Sequence, residues 1–204
     1  MTAPTAHENQ YGVVSSPQSL HNDWIAQANM GTCTGGVCGG DMLVANGGPT
    51  ANHVWYQTIT VTPNMPYRFS GWVTSVLGYT DPNPANLSIG VDLSGACAGT
   101  PLTNTFTTVG SLSVDPALTS GQWAQGTASF TSGTSTSICL SLVNNQLAAG
   151  GNDFAIDGLS LTAVTTSTSG VTAVPTLSQI GLMLLSLLMG AGLLVQGRRA
   201  GRER

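Results

Sequence analysis

Apolar residues recur at every second position through most of the first 160 residues, and that spacing favours strands over helices. His53 to Val61 reads HVWYQTITV, with Trp55, Ile59 and Val61 on one face and Tyr56, Thr58 and Thr60 on the other. Tyr67 to Val73 places Tyr67, Phe69 and Val73 together, opposite Arg68, Ser70 and Trp72. Asn86 to Leu93 groups Leu87, Ile89, Val91 and Leu93, and the runs Ser137 to Val143 and Phe154 to Leu161 read as further strands. Gly, Pro and Asn punctuate these runs at Thr62-Pro63-Asn64, Asp81-Pro82-Asn83-Pro84 and Ala149-Gly150-Gly151-Asn152. Short strands at such intervals predict an all-β sandwich. Only 7% of residues are charged, too few to supply the wet faces of amphipathic helices.

The charges are unevenly placed. Residues 1 to 170 hold one base, Arg68, against eight acids, and lysine is absent. Such a body has no electrostatic footprint for nucleic acid. The other four bases, Arg198, Arg199, Arg202 and Arg204, crowd the C-terminus. Just before them, Ile180 to Val195 is uncharged, with Ser186 as its one polar side chain. Sixteen helical residues span roughly 24 Å, so this run predicts one C-terminal transmembrane helix, extended by its flanks. A buried core helix would show a polar stripe that this run lacks. The arginines stay in the cytoplasm, which puts the body outside. Residues 162 to 174, TAVTTSTSGVTAV, read as a Ser/Thr-rich linker. The expected organisation is therefore a sandwich over 1–161, a linker over 162–174 and a membrane segment over 175–204.

Residues 1 to 25 contain no Lys or Arg and no apolar run, so they do not read as a secretory signal. Since the tail predicts an exported body, the numbered start is expected to be internal to a longer natural chain. Four cysteines admit three readings. In a disulfide framework Cys33 and Cys38 would close a local loop, and Cys97 and Cys139 would pair across the fold. Buried free thiols are the second reading. A zinc site is the third, although the spacing is Cys-x4-Cys rather than the usual Cys-x2-Cys.

The tail, Val174-Pro175-Thr176-Leu177-Ser178-Gln179-Ile180-Gly181 with its apolar helix and arginine cluster, resembles the IPTL-CTERM branch of the PEP-CTERM sorting signals. Val174 stands where that pattern has Ile, and Ile180 where it usually has Trp. The resemblance implies recognition and cleavage near the motif by an exosortase-type membrane transpeptidase. It also implies a bacterial envelope protein, with its body on the outer side of the inner membrane before processing and at the cell surface or outside it afterwards. The body, through GGDMLVANG (39–47), VWYQTITVTPNMPYRFSGWVTS (54–75), NPANLSIGVD (83–92) and LVNNQLAAGGNDFAIDGLSLT (142–162), resembles jelly-roll, galactose-binding-like modules. Members usually open with an Asn-Gly-Ser-Phe-Glu type strand. None is found here, so an N-terminal strand is expected to be missing. In related sugar-binding jelly rolls the last strand often holds a structural calcium, which makes Asp157 the candidate calcium ligand; a strand-edge aspartate bonding a turn is the alternative.

Catalytic constellations are not apparent. The acids are scattered singly, no Gly-x-Ser-x-Gly elbow occurs, and His7, His21 and His53 lack ligand spacing. Flat rings can stack on a pyranose, and Tyr56 and Trp72, which project away from the presumed core faces, are the candidate sugar contacts. The chain is thus expected to be a non-enzymatic surface or extracellular-matrix protein. A module binding extracellular polysaccharide is the first alternative and a glycoside hydrolase the second.

Overall fold

The structure is a computed structural model and describes residues 6–25 and 40–165. Nine strands form two antiparallel sheets: β1 (Tyr11–Val14), β2 (Met42–Asn46), β3 (Asn52–Thr60), β4 (Pro66–Ser75), β5 (Asn86–Asp92), β6 (Thr107–Ser113), β7 (Ala124–Thr131), β8 (Ser137–Asn144) and β9 (Asp153–Ala163). One sheet has the order β1-β2-β9-β4-β7 and the other β3-β8-β5-β6. The expected all-β sandwich is therefore present, and among the described residues the sole helical element is a 3-10 turn at Pro17–Ser19.

The alternation places the core as the sequence predicts. Phe69, Val73, Phe154 and Ile156 from the five-stranded sheet meet Leu87, Ile89, Ile138, Leu140 and Leu142 from the four-stranded sheet. Trp55 stacks on Phe69 with ring centroids 6.3 Å apart. A second apolar cluster lies on the outer face of the five-stranded sheet. There Met42, Val44 and Ala155 pack with Trp24, Trp123, Val76 and Leu77. The segment before β2 covers part of this face through Ala6, Leu20 and Ile25. At β2, the start of β9 and the end of β4 that sheet is consequently buried on both sides.

From β2 to β9 every connection crosses between the sheets except β5 to β6, which stay together. The β2–β3, β4–β5, β6–β7 and β8–β9 connections therefore gather at one end of the sandwich. Hydrogen bonds tie them to each other. Gly47 N donates to Asn152 O at 3.0 Å, Asn83 Nδ2 to Gly150 O at 2.6 Å, and Ser120 Oγ to Tyr79 O at 3.2 Å.

The connection between β5 and β6, at the other end, folds back over the outer face of the four-stranded sheet. A Cys97–Cys139 disulfide fastens it to β8, the pairing the disulfide reading expects. Cys97 N also donates to Thr58 Oγ1 at 3.0 Å, and Asn104 Nδ2 to Asp92 Oδ2 at 2.9 Å. Cys33 and Cys38 lie outside the described residues. So do the expected membrane helix, the Val174–Gly181 motif and the arginine cluster.

Candidate functional site

The gathered loops enclose two adjoining cavities, and Tyr79 stands between them. One, of about 470 Å³, is lined by His21, Asp23, Trp24, Tyr79 and Asp153 among others. The other, of about 370 Å³, is lined by Ile25, Thr80, Pro116 and Leu118 together with Tyr79. Leu77 and Gly78 border both. These volumes fall in the range of small-molecule sites. Tyr79 is 60% exposed and lines both hollows.

Tyr79 owes its position to its neighbours. Val76 and Leu77 are buried in the outer cluster, and Trp24 forms a β-bridge with Leu77. Ile25 N donates to Val76 O at 2.9 Å. Asp81 then reverses the chain. Its Oδ1 accepts from Asn83 N at 2.9 Å and Asn152 N at 3.4 Å, and its Oδ2 from Ser75 Oγ at 3.0 Å. Both oxygens of Asp81 are thus spent on holding the loop. The segment between Leu77 and Asp81 has no choice but to arch outward.

Asp153 lies on the cavity wall and differs in kind. It is buried, and its Oδ1 has no hydrogen-bond partner. Burial pushes its carboxyl up to about 7. A hydrogen bond from Trp24 opposes that rise, and the like charges of Asp81 and Glu8 add to it. The His21 ring sits 5.1 Å from that of Trp24, and its Nδ1 accepts from Asp23 N at 3.3 Å. A half-buried imidazole, an exposed phenol and an unsatisfied carboxyl therefore converge on one hollow. Together they offer a ring to stack on and an acceptor for a ligand's donor.

The candidate sugar contacts fall elsewhere, and apart from each other. Tyr56 is 47% exposed on the outer face of the four-stranded sheet. It is near His53, whose Nδ1 shares a 2.6 Å hydrogen bond with Ser141 Oγ; desolvation lowers the pKa of that imidazole. Phe106, carried by the disulfide-tied loop, lies against His53 with ring centroids 5.1 Å apart. Trp72 does turn away from the core between the sheets, but it packs half-buried against the outer cluster of the other sheet. Tyr56 and Trp72 therefore occupy opposite sides of the sandwich and form no common platform.

Asp157 is on β9, two residues beyond Ala155 on that same outer face. Its Oδ1 accepts from Gly158 N at 2.6 Å, and its Oδ2 is buried without a partner. An orphaned carboxylate oxygen fits one calcium ligand. Among the described residues no group of three His, Cys, Asp or Glu side chains could complete a metal site, so backbone carbonyls would have to supply the remaining oxygens.

Residues 172–199 match the IPTL-CTERM motif, so the chain carries that sorting signal. No curated protein matches the chain. Among solved structures it is similar to the EclA C-terminal domain, a sugar-binding protein, with a TM-score of 0.46, 16% identity and coverage of 66% of this chain and 89% of that one. It is also similar to the CBM22-1 xylan-binding domain from Paenibacillus barcinonensis Xyn10C, with a TM-score of 0.42, 17% identity and coverage of 79% and 99%. An enzyme, the arabinose-bound MgGH51 α-L-arabinofuranosidase, gives a TM-score of 0.46 at 14% identity, over 78% of this chain and 23% of that one.

Proposed function

We propose that this protein is displayed outside a bacterial cell and that its sandwich binds extracellular polysaccharide without cleaving it, at the end where the loops gather. The observation that carries the binding reading is the exposed Tyr79 ring between two cavities, with the unsatisfied Asp153 carboxyl on the wall of one. A flat ring and a polar acceptor are what a pyranose needs, with its apolar face and its hydroxyl rim. The strand order supports a jelly roll, since the sheets β2-β9-β4-β7 and β3-β8-β5-β6 arise from eight strands that cross between layers.

The non-catalytic reading is supported by Asp81. Glycoside hydrolysis needs two available carboxyl groups, and of the two acids that bear electrostatically on Asp153, Asp81 and Glu8, Asp81 has both oxygens engaged by Asn83, Asn152 and Ser75. Release of reducing ends from a bound polysaccharide by the purified protein would replace this reading with the hydrolase.

Export rests on the sorting signal. The residues after β9, up to 174, would space the sandwich from a membrane helix within 175–204, with the arginines inside and an exosortase-type transpeptidase cutting near Pro175. Asp157 is where a structural calcium would attach, its buried Oδ2 being the supporting observation.

Two experiments test the proposal. The natural gene is expressed with a C-terminal tag beside a matching transpeptidase; the tag should be lost and the body should appear outside. A tag retained on a cytoplasmic protein defeats the export reading. In a polysaccharide retention assay, Tyr79→Ala should weaken binding about tenfold or more with an unchanged melting temperature, and Tyr56→Ala should not. The reverse pattern moves the site to the outer face of the four-stranded sheet. Wild-type protein that ignores a broad glycan panel ends the binding reading.

A further inference from the structure

The loop end of the sandwich is acidic, and among the described residues no Lys or Arg balances it. Asp153 and Asp23 line the larger cavity, and Asp81 and Glu8 act on Asp153 by like-charge repulsion. Among the described residues Arg68 is the sole Lys or Arg. It lies near the start of β4, while the loop leaves from the end of that strand at Ser75. Seven residues of strand separate the two by roughly 23 Å, more than two Debye lengths at physiological salt. Among the described residues no Lys or Arg stands near enough to balance these carboxylates, and the His21 imidazole is the one basic side chain on the cavity wall.

Asp153 adds the second, independent observation. The residue is only 9% exposed and its Oδ1 has no donor. A native protein rarely leaves such an atom unpaired without a role for it. The missing partner is a donor, and the surrounding acids ask that it be positive.

A divalent cation does not suit this place. Among the described residues no three acidic, His or Cys side chains lie close enough together to hold a metal ion, and Asp81 has committed both oxygens to its loop. A hydroxyl would satisfy Oδ1 yet leave the repulsion among the carboxylates untouched. An ammonium group answers both needs. It requires one or two carboxylate acceptors, not six oxygens, and it gains further from the face of an adjacent aromatic ring.

Resting on the polysaccharide reading above, we infer that the loop-end cavity selects a saccharide bearing a free amine, with the ammonium against Asp153 and the sugar ring on Tyr79. The ligand class is therefore an amino sugar without its N-acyl group. Acylation removes the charge and adds bulk at the nitrogen, so the acylated sugar would lose the Asp153 contact and keep only the stacking.

The test compares two probes on the full-length protein by titration calorimetry at pH 7, where the Asp153 carboxyl is about half ionised: a β-1,4-glucosamine hexasaccharide and its fully N-acetylated counterpart. The amine form should bind at least tenfold tighter. Asp153→Asn should abolish the difference, while Tyr79→Ala weakens both. Equal affinities, or a preference for the acetylated form, overturn the inference; if Tyr79→Ala still weakens that binding, the polysaccharide reading survives. Amine binding that ignores Tyr79→Ala and vanishes in 0.3 M salt is diffuse charge attraction and also overturns it. Silence with both probes overturns it too, and the glycan panel then decides the broader reading separately. The wild-type comparison needs no variant, and Asp23→Asn, at an exposed position on the cavity rim, should narrow the preference should Asp153→Asn fail to fold.

Discussion

Asn152 accepts a 2.8 Å hydrogen bond at its buried Oδ1 from Nδ2 of Asn144, and so joins the end of β8 to the start of β9. Its own Nδ2 donates to Gln146 O at 3.0 Å, across the same loop. The backbone of Asn152 is left-handed, with φ at +68°, a region that Asn tolerates better than most side chains. The next residue is Asp153. The pair thus fixes where the carboxyl enters the cavity wall.

Asn152→Ala removes the acceptor of Asn144 and puts a poorly suited residue at positive φ. The expected loss is about 2–4 kcal/mol, most of it from a buried amide left unpaired. Asn152→Gly keeps the backbone conformation and loses the same hydrogen bonds, so the difference between the variants isolates the conformational part. Urea midpoints for the three proteins decide it. A loss below about 0.5 kcal/mol in both would mean that the loop is held by Asp81 alone.

Asp153 makes stability fall as pH rises. Burial pushes its carboxyl up to about 7 in the folded protein, from an ordinary aspartate value of 3.8. Between those two pH values the folded protein holds a proton that the unfolded chain has released. Stability is then highest below about pH 4 as far as this group is concerned, and drops through pH 7. The full linkage is at most about 4 kcal/mol, and relaxation of the site reduces it. Asp153→Asn should therefore gain stability relative to wild type at pH 8 and flatten the slope between pH 4 and 7. Denaturant unfolding at pH 5 and pH 8 checks this; parallel slopes in both proteins refute it.

The strands that the residue pattern found are those with one face inward and one outward. β3, β4, β5, β8 and β9 alternate because bulky apolar residues meet across the core. β2 escaped the same reading because Met42, Val44 and Ala45 are buried on both faces of its sheet, which turns alternation into a continuous apolar run. β6 and β7, TTVGSLS and AQGTASFT, were hidden by their small residues. The cavity residues were hidden by distance. His21 and Trp24 stand more than fifty residues before Tyr79 and join it through the Trp24–Leu77 bridge and the Ile25–Val76 hydrogen bond. One local signal was available: an aromatic residue between Gly78 and the Asp81-Pro82 turn lies in a loop, where no periodicity explains it as core. Trp72 was legitimately read as facing away from the core; a single strand gives no sign that another segment will cover that face.

The Cys97–Cys139 bond closes a chain separation of 42 residues. On the chain-entropy account such a loop contributes about 4 kcal/mol through the unfolded state. It also pins the β5–β6 connection over the outer face that carries Tyr56 and His53. Replacing both cysteines with alanine should lower the unfolding free energy by about 2–4 kcal/mol. The sandwich should remain folded, because the core between the sheets is untouched. Denaturant curves with and without reductant should match this variant only in the reduced case. A reduced protein as stable as the oxidised one would show that Thr58 and Asn104 suffice to hold the connection.

At Gly126 and Gly110, β7 of one sheet and β6 of the other leave no room for a Cβ. A Cβ on Gly126 would lie 2.5 Å from Ser111 O and 2.8 Å from Leu112 Cα, and one on Gly110 would lie 2.7 Å from Ala128 Cβ. The obstruction at Gly126 is backbone, which cannot turn aside as a flexible side chain can. Gly126→Ala must therefore push the sheets apart at this edge. The expected cost is about 1–3 kcal/mol, the usual penalty for overpacking, despite the lower conformational entropy that alanine gives the unfolded chain. Gly133→Ala is the control for the glycine-to-alanine exchange itself: its added Cβ meets nothing within 4 Å, although its φ of +56° carries a strain of its own. Thermal melts of the two variants separate crowding from backbone strain. If Gly126→Ala melts no lower than wild type, the closing edge has slack, and β6 and β7 are not held at the distance seen.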